Sequence, residues 1–99
     1  MTTRQEQILV HLYGFARMGN EYVMPYGTTQ EGIADSIGIS RSQVSTEIKR
    51  LGEKGFVQCE MKHSYMEGRL SGKIRKCYRL NAEGTRVARD LIATTKGAM

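Results

Sequence analysis

Apolar residues in the first part of the chain recur at the spacing of an amphipathic helix. Thr3 followed three residues later by Glu6 is the signature of a capping box, which predicts a helix beginning there. Gly19 and Asn20 predict that this helix stops after about Met18. The apolar face that supports this first helix consists of Ile8, Leu9, Leu12, Phe15 and Ala16.

Two shorter helical segments follow, joined by the tripeptide Gly38-Ile39-Ser40. Thr28 with Glu31 forms a second capping signature, and Ser40 with Gln43 forms a third. We therefore expect a second helix that ends at Gly38 and a third that closes at Gly55. Their apolar positions are Ile33, Ala34 and Ile37 in the second helix and Val44, Ile48 and Leu51 in the third. Two short helices joined by a tight turn are what a helix-turn-helix requires.

The remaining elements are predicted to be short strands and a last helix. Tyr22-Val23-Met24 can form only a small strand, which Pro25 restricts to an edge or a strand end. Residues 56–63 and 74–80 are predicted as strands joined by a turn over 66–73, and Asn81 is predicted to cap a helix that runs to about Thr95. The apolar residues of that helix are Val87, Ala88, Leu91 and Ile92.

The order of elements predicts an α+β winged helix-turn-helix, with a three-helix core, a small antiparallel sheet and wing, and a C-terminal helix. The chain has 99 residues, which corresponds to one small domain, predicted over residues 1–95 with a disordered tail over 96–99. No apolar run exceeds three residues, so the sequence predicts neither a membrane span nor a signal peptide. A cytoplasmic location follows as the expectation.

Charge is distributed unevenly along the chain. The net charge is +5, but residues 1–40 carry two basic and four acidic side chains whereas residues 41–80 carry ten basic and four acidic ones. A basic segment on an otherwise neutral body is the electrostatic pattern of a nucleic-acid-binding protein. The alternative is a solvated surface that is rich in lysine and arginine.

The sequence offers little support for catalysis or metal binding. It contains no P-loop, no metal-binding pair of closely spaced cysteines and no nucleophile motif, so we expect a non-enzyme without cofactors or metal. Cys59 and His63 are about 13 Å apart if they lie on one strand, too far to share a zinc ion. Cys59 is predicted on the core face of its strand and Cys77 on the outer face of the next, which argues against a disulfide.

The stretch Thr29–Val57, TQEGIADSIGISRSQVSTEIKRLGEKGFV, resembles the winged helix-turn-helix of bacterial and archaeal transcription regulators, especially the MarR type. The ending Tyr78–Gly84 resembles that family's transition from the wing into its next helix. The resemblance covers residues 29–84 and implies a double-stranded-DNA-binding transcriptional regulator. In such a protein, helix 41–54 enters the major groove, and wing 63–76 contacts the flanking backbone or the minor groove.

Two departures from the family pattern bear on this resemblance. The wing reads Glu67-Gly68-Arg69 where the family usually has an Asp-x-Arg-rich segment. The family also has long terminal helices that form the dimer and its ligand pocket. Only residues 83–99 follow Ala82, so an effector pocket of that kind is not expected. The resemblance therefore implies a minimal regulator, or the DNA-binding part of something larger, and it identifies no small-molecule effector.

Candidate DNA-binding residues lie on the third helix, where Ser42, Thr46 and Lys49 are predicted opposite the apolar face. The first turns are predicted to reach base edges, with Arg41 suited to a bidentate contact with guanine, while later residues approach phosphates. The base-edge candidates are Arg41, Ser42, Ser45 and Thr46, and the phosphate candidates are Lys49 and Arg50. The alternative for the hydroxyl residues is ordinary solvated helix surface.

Two further groups of residues are candidates for backbone contacts. Thr29 and Gln30 open the second helix, where free backbone N–H groups suit a phosphate, although they could equally serve only as caps. The wing offers a basic hairpin, which suits phosphate or minor-groove contact, although charge can also simply keep an edge hairpin soluble. Its basic residues are Arg69, Lys73, Arg75 and Lys76.

Regulators of this kind usually bind palindromic sites as dimers, so a homodimer is expected, with the first and last helices as its surfaces. Phe15, Leu91 and Ile92 are candidate contacts, although each could belong to the monomer core. Two other functions stay open: a DNA-targeting module of a larger regulator or ATPase, and a winged-helix adaptor for another protein.

Overall fold

The computed structural model describes residues 3–20, 22–66 and 69–97, with Ser71 and residues 95–97 described by their backbone only. The order of elements is the predicted one, and it is a winged-helix arrangement. The helices are α1 (Arg4–Tyr13), α2 (Gln30–Ile37), α3 (Arg41–Glu53) and α4 (Ala82–Gly97). The strands are β1 (Val23–Pro25), β2 (Val57–Met66) and β3 (Arg69–Leu80), and a 3₁₀ turn over Tyr26–Thr28 precedes α2.

The core lies between the first three helices and one face of the sheet. Helix α3 buries its whole predicted apolar stripe, whereas Ile37 of α2 is only partly buried, and Phe15 and Ala16 lie beyond the end of α1 and are half-buried. The start of β2, the end of β3 and one residue of α4 complete the cluster. Its members are Ile8, Leu9, Leu12, Ile33, Ala34, Val44, Ile48, Leu51, Val57, Tyr78, Leu80 and Ala88. Burial of these stripes fixes how each helix is rotated about its axis.

Two of the three predicted capping boxes are confirmed, and the cap of α2 was placed one residue too early. Full capping boxes form at Thr3 for α1 and at Ser40 for α3. The cap of α2 is Thr29, whose hydroxyl accepts from the Gly32 amide at 3.0 Å. Thr28 instead ends the 3₁₀ turn and donates its hydroxyl to the Pro25 carbonyl at 2.7 Å. The extra turn displaces the cap by one residue.

Helix α1 ends at Tyr13, several residues before the predicted end at Met18. The chain leaves the helix at Gly14, and Phe15 turns toward the 3₁₀ turn, where its ring occupies the space that a side chain at Gly27 would need. His11 Nε2 lies 2.7 Å from the Gly27 carbonyl oxygen, and its ring meets Phe15 edge-on at a centroid distance of 5.1 Å. Beyond Tyr13 the backbone amides bond to carbonyls three residues back, from Phe15 to Leu12, from Ala16 to Tyr13 and from Met18 to Phe15. The regular α-helix therefore ends at Tyr13, while tighter turns continue to Met18.

The hairpin of β2 and β3 is longer than predicted. Both strands continue to the pair Met66 and Arg69, whereas the sequence predicted a turn over 66–73. Glu67 and Gly68, at the centre of that turn, lie outside the described residues. A register shift between His63 and Tyr65 interrupts the ladder. The sheet is mixed rather than wholly antiparallel, because β1 runs parallel to β2 at the edge position expected for a strand that ends in proline.

The two cysteines lie on opposite faces of the hairpin, as predicted, but their burial was predicted the wrong way round. Cys59 pairs with Tyr78 and is exposed, because the core does not extend beyond Tyr78 on that face. Cys77 pairs with Glu60 and is fully buried. The 3₁₀ turn contacts both strands and covers Cys77, so burial raises the pKa of its thiol.

Charged side chains attach the segment after α1 to this second face of the hairpin. Arg79 Nη1 donates to the Ala16 carbonyl at 3.2 Å, and Lys62 Nζ donates to the Asn20 carbonyl at 2.7 Å. The Glu60 carboxylate lies between them, 2.8 Å from Lys62 and 3.5 Å from Arg79. The hydrogen bond from Lys62 lowers the pKa of Glu60, so this carboxylate stays ionised and holds both cations in place.

Helix α4 begins as predicted and extends slightly further than predicted. The Asn81 side chain accepts from the Gly84 amide at 2.8 Å, which caps the helix. The helix continues to Gly97, two residues beyond its expected end, while Ala98 and Met99 lie outside the described residues. Within the described residues, no helix combines the length and the apolar character that crossing a membrane would need.

Two helical glycines allow a matched test of the packing between α4 and the core. A Cβ at Gly84 would collide with the Phe56 carbonyl, so Gly84→Ala is expected to lower the free energy of unfolding by about 1–3 kcal/mol. At the exposed Gly52 the nearest atom would be 3.9 Å away, so Gly52→Ala is expected to raise it by about 1 kcal/mol through helix propensity. Urea unfolding measures both, and a stabilising Gly84→Ala would contradict the packing.

The reversed burial of the cysteines predicts two distinct thiol reactivities. In the native protein, an aromatic disulfide reagent should modify Cys59 rapidly and Cys77 slowly, because Cys77 is buried and its thiolate is disfavoured. Cys59→Ser should remove the fast phase, and both thiols should react rapidly in denaturant. Two equally fast native phases would contradict the observed cover over Cys77.

Candidate nucleic-acid interface

The outer face of α3 is a continuous polar surface. Because Val44, Ile48 and Leu51 are buried, the helix turns its opposite side to solvent. All six candidates on this helix are exposed: Arg41, Ser42, Ser45, Thr46, Lys49 and Arg50. Thr46 donates its hydroxyl to the Ser42 carbonyl at 3.1 Å, which occupies its proton while its oxygen can still accept. This face provides hydroxyl and cationic groups along more than two turns of helix.

The turn between α2 and α3 determines where the outer face begins. Gly38 adopts a left-handed conformation with φ of 81°, which glycine tolerates without strain and which lets the chain reverse within three residues. The Gln30 amide then donates to the Arg41 carbonyl at 2.7 Å. This contact holds the first turn of α3 against the first turn of α2.

Thr29 and Gln30 are engaged inside the protein. Thr29 is buried, and its hydroxyl both accepts from Gly32 and donates to the Tyr26 carbonyl at 2.7 Å. The Gln30 amide is bound to Arg41, as described above. The Thr29 side chain therefore caps α2, which was the alternative to a phosphate contact in the sequence-based prediction. The Gln30 side chain joins the start of α2 to the start of α3.

Glu31 connects α3 to the wing, and sequence analysis gave it only a capping role. One carboxylate oxygen, Oε1, lies 3.4 Å from Arg41 Nη2 and 3.1 Å from Arg75 Nη1. The side chain of Arg41 is 66% exposed and that of Arg75 is 40% exposed, so both guanidinium groups remain accessible to a further anion. No sequence signal could have identified this contact, because Arg75 lies 44 residues from Glu31.

The wing presents its basic residues on two faces rather than one. Arg69, Lys73 and Lys76 are exposed. Side chains alternate along a strand, so Lys76 points to the face opposite the one that carries Arg75. On that face its cross-strand neighbour is Met61. The structure thus brings Arg75 to the start of α3 and places Lys76 on the opposite side of the hairpin.

A shallow depression of about 300 Å³ borders α3 on the flank away from Arg41. All of its lining residues are polar or charged, and one of them, Arg4, belongs to α1 and was not among the candidates predicted from the sequence. The other lining residues are Ser42, Gln43, Thr46, Glu47 and Arg50. Arg50 forms an ion pair with Glu47 at 2.9 Å, and the Arg50 side chain is 60% exposed.

The described residues contain no group of three or more His, Cys, Asp or Glu side chains that could hold a metal ion. His11 is bound to the Gly27 carbonyl, and the two thiols lie on opposite faces of the hairpin.

Comparison with solved structures identifies the fold. Staphylococcus aureus MepR, a transcription regulator of the multidrug efflux pump MepA, superposes with a TM-score of 0.69 at 19% identity, over 99% of this chain and 60% of MepR. A MepR–DNA complex gives 0.70 at 19% identity, over 99% of this chain and 67% of that one. Lactococcus lactis ZitR, a zinc-responsive MarR family member, gives a TM-score of 0.65 at 22% identity, over 98% of this chain and 55% of ZitR.

A proposed DNA-binding protein from Ralstonia eutropha JMP134 is closer in size, with a TM-score of 0.62 at 19% identity over 92% of this chain and 96% of that one. No family model matches the sequence, and no curated protein matches it. This chain spans about 60% of the length of MepR. The structural matches confirm the predicted resemblance at the level of fold: the chain has the winged-helix fold of MarR-type regulators.

Proposed function

We propose that this chain is a sequence-preferring double-stranded-DNA-binding regulator of transcription, with α3 in the major groove and wing 63–76 on the flanking backbone or in the minor groove. The observation that carries the proposal is the outer face of α3, which is polar, exposed and bordered by cations. A helix with such a face fits the major groove, which is about 12 Å wide. The MepR–DNA complex shows that a protein of this fold binds DNA.

The position of each candidate on α3 suggests its role. Arg41 begins the helix and is suited to a bidentate contact with guanine, worth about 1–3 kcal/mol of discrimination. Ser42, Ser45 and Thr46 follow in the first turns and supply hydroxyl groups to base edges. Lys49 and Arg50, further along, supply charge to phosphates. Because hydroxyl groups discriminate weakly between bases, we expect modest sequence specificity.

The wing residues act together with the start of α3. Arg75 shares Glu31 with Arg41, so both guanidinium groups are held on one side of the helix before DNA arrives. When DNA binds, its phosphate oxygens compete with the Glu31 carboxylate for the guanidinium groups of Arg41 and Arg75. Arg69, Lys73 and Lys76 extend the positive charge along the hairpin. The Thr29 backbone N–H donates to the Tyr26 carbonyl at 3.0 Å, so the proposal assigns Thr29 no phosphate contact of its own. For Gln30 the proposal keeps only the backbone N–H at the start of α2 as a phosphate donor.

A homodimer is part of the proposal, because two copies of α3 would read the two halves of a palindromic site. The candidate contacts Phe15, Leu91 and Ile92 are half-buried, and Leu91 packs against the core. Val10 on α1 is 37% exposed and offers a further apolar side chain for such a contact. The proposal also includes a cytoplasmic location and a regulatory rather than catalytic role. Light scattering tests this part of the proposal, and a monomeric mass at tens of micromolar protein would exclude the simple homodimer.

Binding to a mixed-sequence duplex across a range of salt concentrations tests the function. We expect log K to fall with log salt at about −0.9 per phosphate neutralised, and duplex to be preferred over single strand. The triple variant Arg41→Ala/Lys49→Ala/Arg50→Ala should lose most of this binding. The triple variant Arg17→Ala/Arg86→Ala/Arg89→Ala, which removes equal charge elsewhere, should lose little.

Two outcomes would contradict this proposal. Negligible duplex binding at the lowest salt would instead favour a winged-helix adaptor for another protein. Equal losses in the two triple variants would show that binding depends on net charge rather than on α3.

Removing the charge of Glu31 should strengthen DNA binding. Glu31→Gln leaves Arg41 and Arg75 without their shared carboxylate and removes a negative charge beside the phosphates, so affinity should rise about threefold to tenfold at low salt. The free energy of unfolding should change by less than about 1 kcal/mol, because the ion pairs are partly exposed. Anisotropy titration and thermal unfolding measure the two effects.

Glu83→Gln is the matched control, because Glu83 forms a comparable exposed ion pair with Arg86 on α4 at 2.9 Å. It should leave DNA affinity unchanged. If Glu31→Gln weakened binding, Glu31 would act by orienting the two arginines rather than by competing with DNA.

A further inference from the structure

We propose that Arg4, the first residue of α1, contacts a DNA phosphate on the side of α3 that faces away from the wing. This inference rests on the proposed function and adds a contact that neither the helix-turn-helix nor the wing supplies. It assigns to α1 a direct part in binding.

The first support is the rotation of α3. Nine residues at about 100° each place Arg50 about half a turn from Arg41. Arg41 lies beside Glu31 and Arg75, which marks the wing side of the helix. Arg50 therefore faces the other side, and the residue that shares its depression there is Arg4.

The second support is the chemistry of that depression. Thr46 also lines the depression, but its hydroxyl donates to the Ser42 carbonyl at 3.1 Å. Arg4 and Arg50 bring two guanidinium groups, each with a positive charge and several N–H donors, to a volume of about 300 Å³. This combination of charge and hydrogen-bonding groups suits an anionic phosphodiester oxygen. Glu47 also lines the depression, but its side chain is only 13% exposed and is paired with Arg50 at 2.9 Å. The charge that remains accessible at the opening is positive.

The third support is the geometry of the target. A helix in the major groove lies between two phosphate backbones, one along each edge of the groove. The wing and Arg75 lie on one side of α3, so in this arrangement they can contact only one of these two backbones. Arg4 and Arg50 supply cations toward the other edge, so α3 would be held from both sides, which fixes its orientation in the groove.

Salt-dependent binding of Arg4→Ala to a mixed-sequence duplex tests the contact. Loss of one phosphate contact should lower the affinity about fivefold to tenfold near 0.1 M salt and make the slope of log K against log salt shallower by about 0.9. Arg89→Ala is the matched control, because it removes an equal charge from an exposed position on α4. Arg89→Ala should change neither the affinity nor the slope of log K against log salt. Arg4→Lys should keep the wild-type slope, because the positive charge remains.

Arg4 is exposed at the start of a helix, so these variants should fold, and circular dichroism with thermal unfolding checks that they do. If Arg4→Ala binds as Arg89→Ala does while the wild-type protein shows steep salt-dependent binding, the Arg4 contact is wrong and the proposed function stands. If the wild-type protein does not bind duplex at low salt, both fail together. A slope that flattens in Arg4→Lys as much as in Arg4→Ala would also overturn the contact, since charge would not be its basis.

Discussion

The burial of one stripe of α3 determines the arrangement of everything around it. Val44, Ile48 and Leu51 are in contact with the core, and a helix held by three residues at this spacing cannot rotate without exposing them. Fixing that rotation fixes the outer face as well. It also places the start of α3 where Gln30 and Glu31 can reach it. A core of this size, in a chain that buries only about two-thirds of its unfolded surface, has little spare apolar area to support another arrangement.

Electrostatic balance on the two flanks of α3 follows from the same rotation. On one flank, a single carboxylate of Glu31 serves both Arg41 and Arg75. On the other flank, Glu47 pairs with Arg50, and Arg4 lines the same depression as these two residues. Each flank therefore holds more positive than negative charge, and the carboxylates position their cations without neutralising them fully. Partly exposed ion pairs contribute little to stability, so their main consequence is where charge is presented.

Local signals in the sequence predicted much of the fold, and long-range contacts account for what it missed. Capping boxes and helical spacing act within a few residues, so the starts of α1 and α3 were predicted correctly. The packing of Phe15 against Gly27, just after the end of α1, joins segments 12 residues apart, and the burial of Cys77 depends on the 3₁₀ turn above it. The exposed face of α3 was predictable from periodicity alone. The pairing of Glu31 with Arg75 and the proximity of Arg4 to α3 were not, because they depend on how distant segments pack.

The terminal helices show how a chain of this length closes its core. Helices α1 and α4 pack against each other, and Ala88, Val87 and Leu91 direct their side chains toward the shared cluster. Apolar residues used in this way are not available to line a cavity between α1 and α4. Any contact between two copies through these helices must instead use exposed positions such as Val10. The same packing holds the first turn of α1 beside α3, so α1 both completes the core and positions Arg4 at the edge of the candidate interface.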